Sequence, residues 1–126
     1  MSTFRILLGK GETNMKGTYL GEFEELVLLT VGILHEDAYG LSITDELVKR
    51  TRRNASISAV HKSLVRLEDK GFLISKMGGA TEERGGRAKK LYQITAAGKK
   101  ALNQSRDLRN DMWSAVPKIV WEGGDT

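Results

Sequence analysis

From Leu20 to about Glu36 the chain is apolar on almost every face, with Phe23, Leu26, Val27, Leu28, Leu29, Val31, Ile33 and Leu34 in one stretch. The run carries no turn signal and is longer than most strands, so it predicts a helix. A helix without a polar face has to be the central one, wrapped by the others. Its densest part, Leu26 to Leu34, is interrupted by Thr30 and Gly32 and is too short to cross a bilayer. At 126 residues there is room for one domain built around that helix.

The segments that could wrap it follow in order. Leu41 to Arg50 predicts a second, shorter helix, with Ile43 and Leu47 four residues apart. Ser56 is placed to cap a third, because its hydroxyl can accept a free backbone N–H of the first turn. There Ile57, Val60, Leu64 and Leu67 form one stripe, while Ser58, Lys62, Arg66 and Asp69 fall opposite at about 100° per residue. Gly71 ends that helix. The period then changes to two: residues 72–77 and 89–94 alternate as strands, joined by a glycine- and charge-rich tip, 78–87, into a hairpin. Thr95 caps a fourth helix running toward Pro117, in which Ala101, Ser105, Leu108, Met112 and Ala115 follow a 4-3-4-3 spacing beside Leu102, Trp113 and Val116. That spacing is a coiled-coil-like seam. The chain thus divides into an arm (1–18), a helix-and-hairpin domain (19–95), a C-terminal helix (96–117) and a tail (118–126). Met15 looks like a natural start for the domain, and residues 1–14, glycine-rich and without a period, are expected to be dispensable or even untranslated.

The chemistry available is narrow. With no cysteine there is no disulfide, no thiolate zinc site and no cysteine nucleophile, which suits a cytoplasmic protein. His35 and His61 are far apart in sequence and form no metal-ligand motif, and adjacent Glu24 and Glu25 point in different directions on a helix. The Gly9–Lys10–Gly11 stretch lacks the order of a phosphate loop, and the later glycine pairs lie within a hairpin. An enzyme is therefore not expected, nor a cofactor or metal.

Charge is distributed more tellingly. The net charge is +4, yet Thr18 to Val48 holds only acids, among them Glu22, Glu24, Glu25, Asp45 and Glu46. Lys49 to Leu67 holds only bases: Lys49, Arg50, Arg52, Arg53, Lys62 and Arg66. Arg84 to Arg106 is again wholly basic in its charges. Two basic blocks meeting on one face are the footprint of a polyanion binder. A short helix, a turn, a helix with Ser58, Lys62 and Arg66 outward, and a basic-tipped hairpin give a helix one side of which can enter a major groove. The hairpin can then reach neighbouring phosphates or the minor groove.

In this order the residues resemble the PadR-like winged-helix transcriptional regulators. Glu25-Leu26-Val27-Leu28-Leu29 is similar to that family's first-helix block, and Ala38-Tyr39-Gly40-Leu41-Ser42-Ile43 to the start of its second helix. Leu64-Val65-Arg66-Leu67-Glu68-Asp69-Lys70-Gly71 resembles the end of its recognition helix. Gly85-Gly86-Arg87-Ala88-Lys89-Lys90-Leu91-Tyr92-Gln93-Ile94-Thr95, followed by Gly98, resembles its wing. The chain departs from the family pattern at Ser58, where glycine is usual, at His61, where tyrosine is usual, and at Ala88, where the wing often has proline.

The resemblance implies a mainly α fold with a small β-hairpin: a winged helix-turn-helix plus a C-terminal dimerisation helix, in the short form with one such helix. It implies a homodimeric regulator, a repressor, that binds double-stranded DNA at a pseudo-palindromic site. Ser58, Ala59, His61 and Lys62 are then the candidates for base edges, and Arg66, Arg87, Lys89 and Lys90 for phosphates, with Arg52 and Arg53 behind them. Tyr39 is a candidate for the DNA backbone by the same likeness, against a core or interface role for its ring. Leu102, Leu108, Met112 and Trp113 are the candidates for the dimer seam. Some members bind aromatic effectors between subunits, which gives Trp113 and Met112 a second reading. The rival from another class is a winged-helix module that binds protein, with its basic wing merely solvated. Recognition of RNA is disfavoured by the lack of aromatic platforms on a sheet.

Overall fold

A computed structural model describes residues 20–78 and 89–123. The arm, most of the hairpin tip with Arg87, and the end of the tail lie outside the described residues. Helix α1 (Glu22–Leu34) runs into one turn of 3₁₀ helix (His35–Asp37), then α2 (Gly40–Thr51) and α3 (Ile57–Asp69). Strands β1 (Leu73–Gly78) and β2 (Lys89–Ile94) follow, then α4 (Ala96–Ala115) and a short α5 (Lys118–Glu122). The chain is mainly helical with one antiparallel hairpin, the winged helix-turn-helix arrangement.

Helix α1 is central, as its apolar run predicts: it packs on α2, α3, β2 and α4, and Val27, Leu28 and Val31 are buried. Its three first-turn acids complement the positive end of the helix dipole, and the Gly21 N–H donates to Glu24 Oε1 at 3.1 Å. The enclosure is incomplete, however. Leu29 and Ile33, one turn apart, stay 43% and 49% exposed. The reason is the course of α4, in which Gly98 and Ala101 are the buried residues while everything past Ser105 is exposed. Among the described residues, one apolar flank of α1 is therefore left largely uncovered.

Helix α3 is fixed by its own period. Ser56 Oγ accepts the Ala59 N–H at 3.0 Å, and Val60, Leu64 and Leu67 are wholly buried. Full burial of each such side chain stabilises by about 1.5–3 kcal/mol, so the helix cannot rotate without large loss. Ile57 corrects the expected stripe, because it is 52% exposed. It is the first residue of the helix and projects beyond the end of the layer that covers Val60 and Leu64.

Gly71, at φ 81°, turns the chain from α3 into the hairpin. Leu73 pairs with Ile94 and Gly78 with Lys89, and the Tyr92 N–H donates to the Ala38 carbonyl at 2.9 Å. The corner before α2 thereby lies along β2 and extends the hairpin edge. Tyr92 is buried, and desolvation pushes its phenol pKa up.

An ion pair joins the two ends of the helical layer. Lys70 Nζ, at the end of α3, lies 2.6 Å from Glu24 Oε1 of α1, with side chains only 18% and 11% exposed. Lys70→Ala is expected to destabilise by about 3 kcal/mol, the lower end for stripping one partner from a buried pair. Adding Glu24→Gln should recover part of that loss, since the amide needs no counter-charge. Urea unfolding of the single and double variants measures it. A double variant no better than the single would assign the loss to the lysine stem instead.

Candidate nucleic-acid interface

The buried stripe of α3 dictates what faces outward. Ser58, His61, Lys62 and Arg66 are exposed, and within the described residues Lys62 and Arg66 have no ion-pair partner. Asp69, on the same side, sits at the far end of the helix. Ala59 differs from its neighbours: it is half-buried and lines a shallow hollow with Phe23, Arg53, Asn54, Ala55 and Ser56. Of the four base-edge candidates, Ser58, His61 and Lys62 thus share the outer face and Ala59 lies on its flank. Exposed Ile57, at the leading end, adds an apolar group that the periodicity had assigned to the core.

The turn between α2 and α3 explains the two weaker cation candidates. Arg52 closes α2 at φ 60°, its N–H donating to the Val48 carbonyl at 2.8 Å, and its side chain is exposed. Arg53 reaches back to α1, where its Nη1 donates to Glu22 Oε2 at 2.7 Å and its guanidinium lies 5.7 Å from the Phe23 ring centre. That hydrogen bond holds the Glu22 carboxyl below its ordinary pKa. Arg50 is similarly occupied by Glu46 at 2.6 Å. The first basic block therefore divides into cations held by acids and cations held out: Lys49, Arg52, Lys62 and Arg66.

At the foot of the wing, neighbouring lysines project to opposite sides, as alternation along a strand requires. Lys89 Nζ sits 3.5 Å from the centre of the Tyr39 ring, at the entrance to α2. Lys90 Nζ lies 3.5 Å from Glu68 Oε1 of α3, and the Ser75 hydroxyl donates to the other Glu68 oxygen at 2.6 Å. Neither contact is readable from spacing, since each depends on how the hairpin folds back.

Of the four seam candidates, one packs on the core and three are exposed. Leu102 packs partly against the core, whereas Leu108 and Met112 are 63% and 65% exposed. Trp113 stacks on Trp121 of α5, ring centres 5.2 Å apart, after the chain turns at Pro117. That five-residue helix was missed within the expected tail, being too short to show a period. Leu29, Leu102 and Trp113 line a groove of about 540 Å³ between α1 and α4 together with Glu25 and Arg109. There Glu25 Oε1 accepts from Arg109 at 2.7 Å and from Ser105 at 3.1 Å, fastening α4 to α1. Among the described residues no group of three or more His, Asp or Glu could hold a metal, and no helix is long and apolar enough to cross a membrane.

Comparison with known proteins agrees with this architecture. The family model of the transcriptional regulator PadR-like family matches residues 28–104. A PadR-like transcription factor from Bacteroides fragilis is similar in structure, with a TM-score of 0.63 at 21% identity over 85% of this chain and 95% of that one. A PadR family transcriptional regulator from Eggerthella lenta gives a TM-score of 0.60 at 21% identity over 95% of this chain and 97% of that one. No curated protein matches the sequence.

Proposed function

The chain belongs to the PadR-like family of transcriptional regulators, and on that premise we propose that it is a repressor acting as a homodimer on a pseudo-palindromic operator. The observation that carries this reading is the outward face of α3. A helix locked by Val60, Leu64 and Leu67 presents Ser58, His61, Lys62 and Arg66 on one side, with both cations unpaired among the described residues. A major groove about 12 Å wide admits one such helix. Near the helix start, Ser58, His61 and Lys62 reach base edges, with Ala59 at the flank and Ile57 against a thymine methyl. Arg66, one turn further on, meets phosphate, as do Arg87 and Lys90 of the wing. Leu102, Leu108, Met112 and Trp113 form the seam with the second protomer. The groove beside Leu29, Leu102 and Trp113 is where a small aromatic effector would lodge.

Selection of bound duplexes from a random pool, followed by titration in salt, tests the reading. Each phosphate neutralised contributes about 0.9 to the slope of log K against log salt, so a protein-binding module has no reason to give a steep slope. Lys62→Ala is expected to cost about 1–3 kcal/mol on the selected site and little on random duplex, as a guanine O6/N7 contact would. Equal losses on both would move Lys62 to the backbone. Absence of salt-dependent duplex binding by the unaltered protein would overturn the function.

A further inference from the structure

The wing is attached to the helical layer through a rigid corner. Ser42 ties residues 37–42 together: its Oγ accepts the Tyr39 N–H at 3.0 Å and its hydroxyl donates to the Asp37 carbonyl at 2.6 Å. The same corner takes two contacts from β2, which are independent of each other. One is the main-chain bond from the Tyr92 N–H to the Ala38 carbonyl at 2.9 Å. The other is the Lys89 ammonium, seated 3.5 Å above the Tyr39 ring. Both side chains are partly shielded from water, where the attraction of a cation for an aromatic face is stronger than at a fully exposed site. Lys89 is also the first residue of β2 and pairs with Gly78 of β1, so its contact with Tyr39 fastens that end of the two strands to the corner.

We propose that Lys89 is a positioning residue for DNA binding, acting through the Tyr39 ring to aim the wing, and not one of the cations that neutralise phosphate. This rests on the DNA-binding reading above and assigns a different role within it to one wing lysine. The two roles compete for a single ammonium: a phosphate contact draws Lys89 off the ring, and the ring contact keeps it at the corner. Lys90, which points to the other side of the strand, lies 3.5 Å from Glu68 Oε1 and a longer 5.7 Å from the centre of the Tyr92 ring, and it is more exposed than Lys89; it keeps the phosphate role.

The test compares Lys89→Gln, Tyr39→Leu, their double variant and Tyr39→Phe on a duplex selected by the unaltered protein, across salt. Lys89→Gln and Tyr39→Leu should each weaken binding by about five- to thirtyfold, the scale of one partly shielded cation–aromatic pair in each of two protomers. The double variant should be no weaker than either single, Tyr39→Phe should match the unaltered protein, and the salt slope should stay the same throughout. A slope flattened by about 1.8 in Lys89→Gln, two phosphates at about 0.9 each, overturns the proposal, as do additive losses or unaltered affinity in both singles. A readout free of DNA accompanies it. The ε-methylene protons of Lys89 should resonate upfield through the ring current and return to ordinary positions in Tyr39→Leu, with the helical circular dichroism retained. Ordinary positions in the unaltered protein overturn the contact itself, whereas an upfield shift without any duplex binding would overturn the functional reading and leave the contact standing.

Discussion

Gly98→Ala is expected to destabilise the protein by about 3 kcal/mol, at the upper end of the cost of overpacking a tight site. A Cβ at Gly98 would collide with the Phe72 carbonyl oxygen and lie 3.2 Å from its carbon and 2.9 Å from Ile94 Cγ2. Alanine is the better helix former by about 1 kcal/mol, so in an open helix the sign would be the opposite. The clash wins because its nearest atom is backbone and the backbone is pinned. Thr95 donates its N–H to the Phe72 carbonyl at 3.0 Å, its hydroxyl donates to the Gly71 carbonyl at 2.7 Å, and its Oγ1 accepts the Gly98 N–H at 3.0 Å. To make room, α4 would have to leave the cap that starts it. A loss of that size should lower the melting temperature by roughly 10 °C in a domain of this length. Because Gly98 packs the first turn of α4 against Phe72 and Ile94, the damage should reach both the helix-turn-helix and the seam. An unchanged or raised melting temperature would mean that the helix and strand do not approach so closely.

Gly98 also shows what can be read from sequence and what cannot. Its place after the wing, within the family-like stretch, was visible, but the atom that forbids a side chain there lies on Phe72, brought in by folding. The same division holds across the molecule. Helix α3, its Ser56 cap and its outer face were readable together, because one 3.6-residue period marks the buried side and therefore the exposed one. Thr95 as a cap and the hairpin strands, placed to within a residue, came from equally local signals. Ile57 fits the stripe by angle but lies past the end of the core, and angle alone carries no information about where a covering layer stops. The Lys70–Glu24, Lys90–Glu68 and Lys89–Tyr39 contacts join residues from different elements, so no spacing rule encodes them. The exposed flank of α1 was hidden for the opposite reason: an all-round apolar helix reads as wholly enclosed, whereas Leu29 and Ile33 are 43% and 49% exposed among the described residues.

Leu108→Asp is expected to convert a dimer into a monomer and to weaken operator binding by about 10²–10⁴, the gain that linking two half-site contacts ordinarily supplies. The seam of α4 changes character along its length. Ala101 is buried in the protomer's own core, Ser105 is half-buried and bonded to Glu25, and Leu108 and Met112 stand in solvent, as do Leu29 and Ile33 of α1. Leu108, Met112 and Ala115, exposed at a 4-3 spacing on α4, fit an isologous two-fold contact, in which each substitution appears twice near the axis. Two buried aspartates facing one another cost far more than the two leucines contribute, so the dimer should fail at micromolar concentration by sedimentation. In the isolated protomer the position is 63% exposed, so the fold should change by no more than about 0.5 kcal/mol. Leu108 is remote in sequence from α3, and the face proposed to meet DNA is untouched. Affinity for a single half-site should therefore remain that of the unaltered protein, while the gain from the second half-site disappears. Loss of half-site binding would point to misfolding, and a dimer that survives the substitution would place the seam on some other surface.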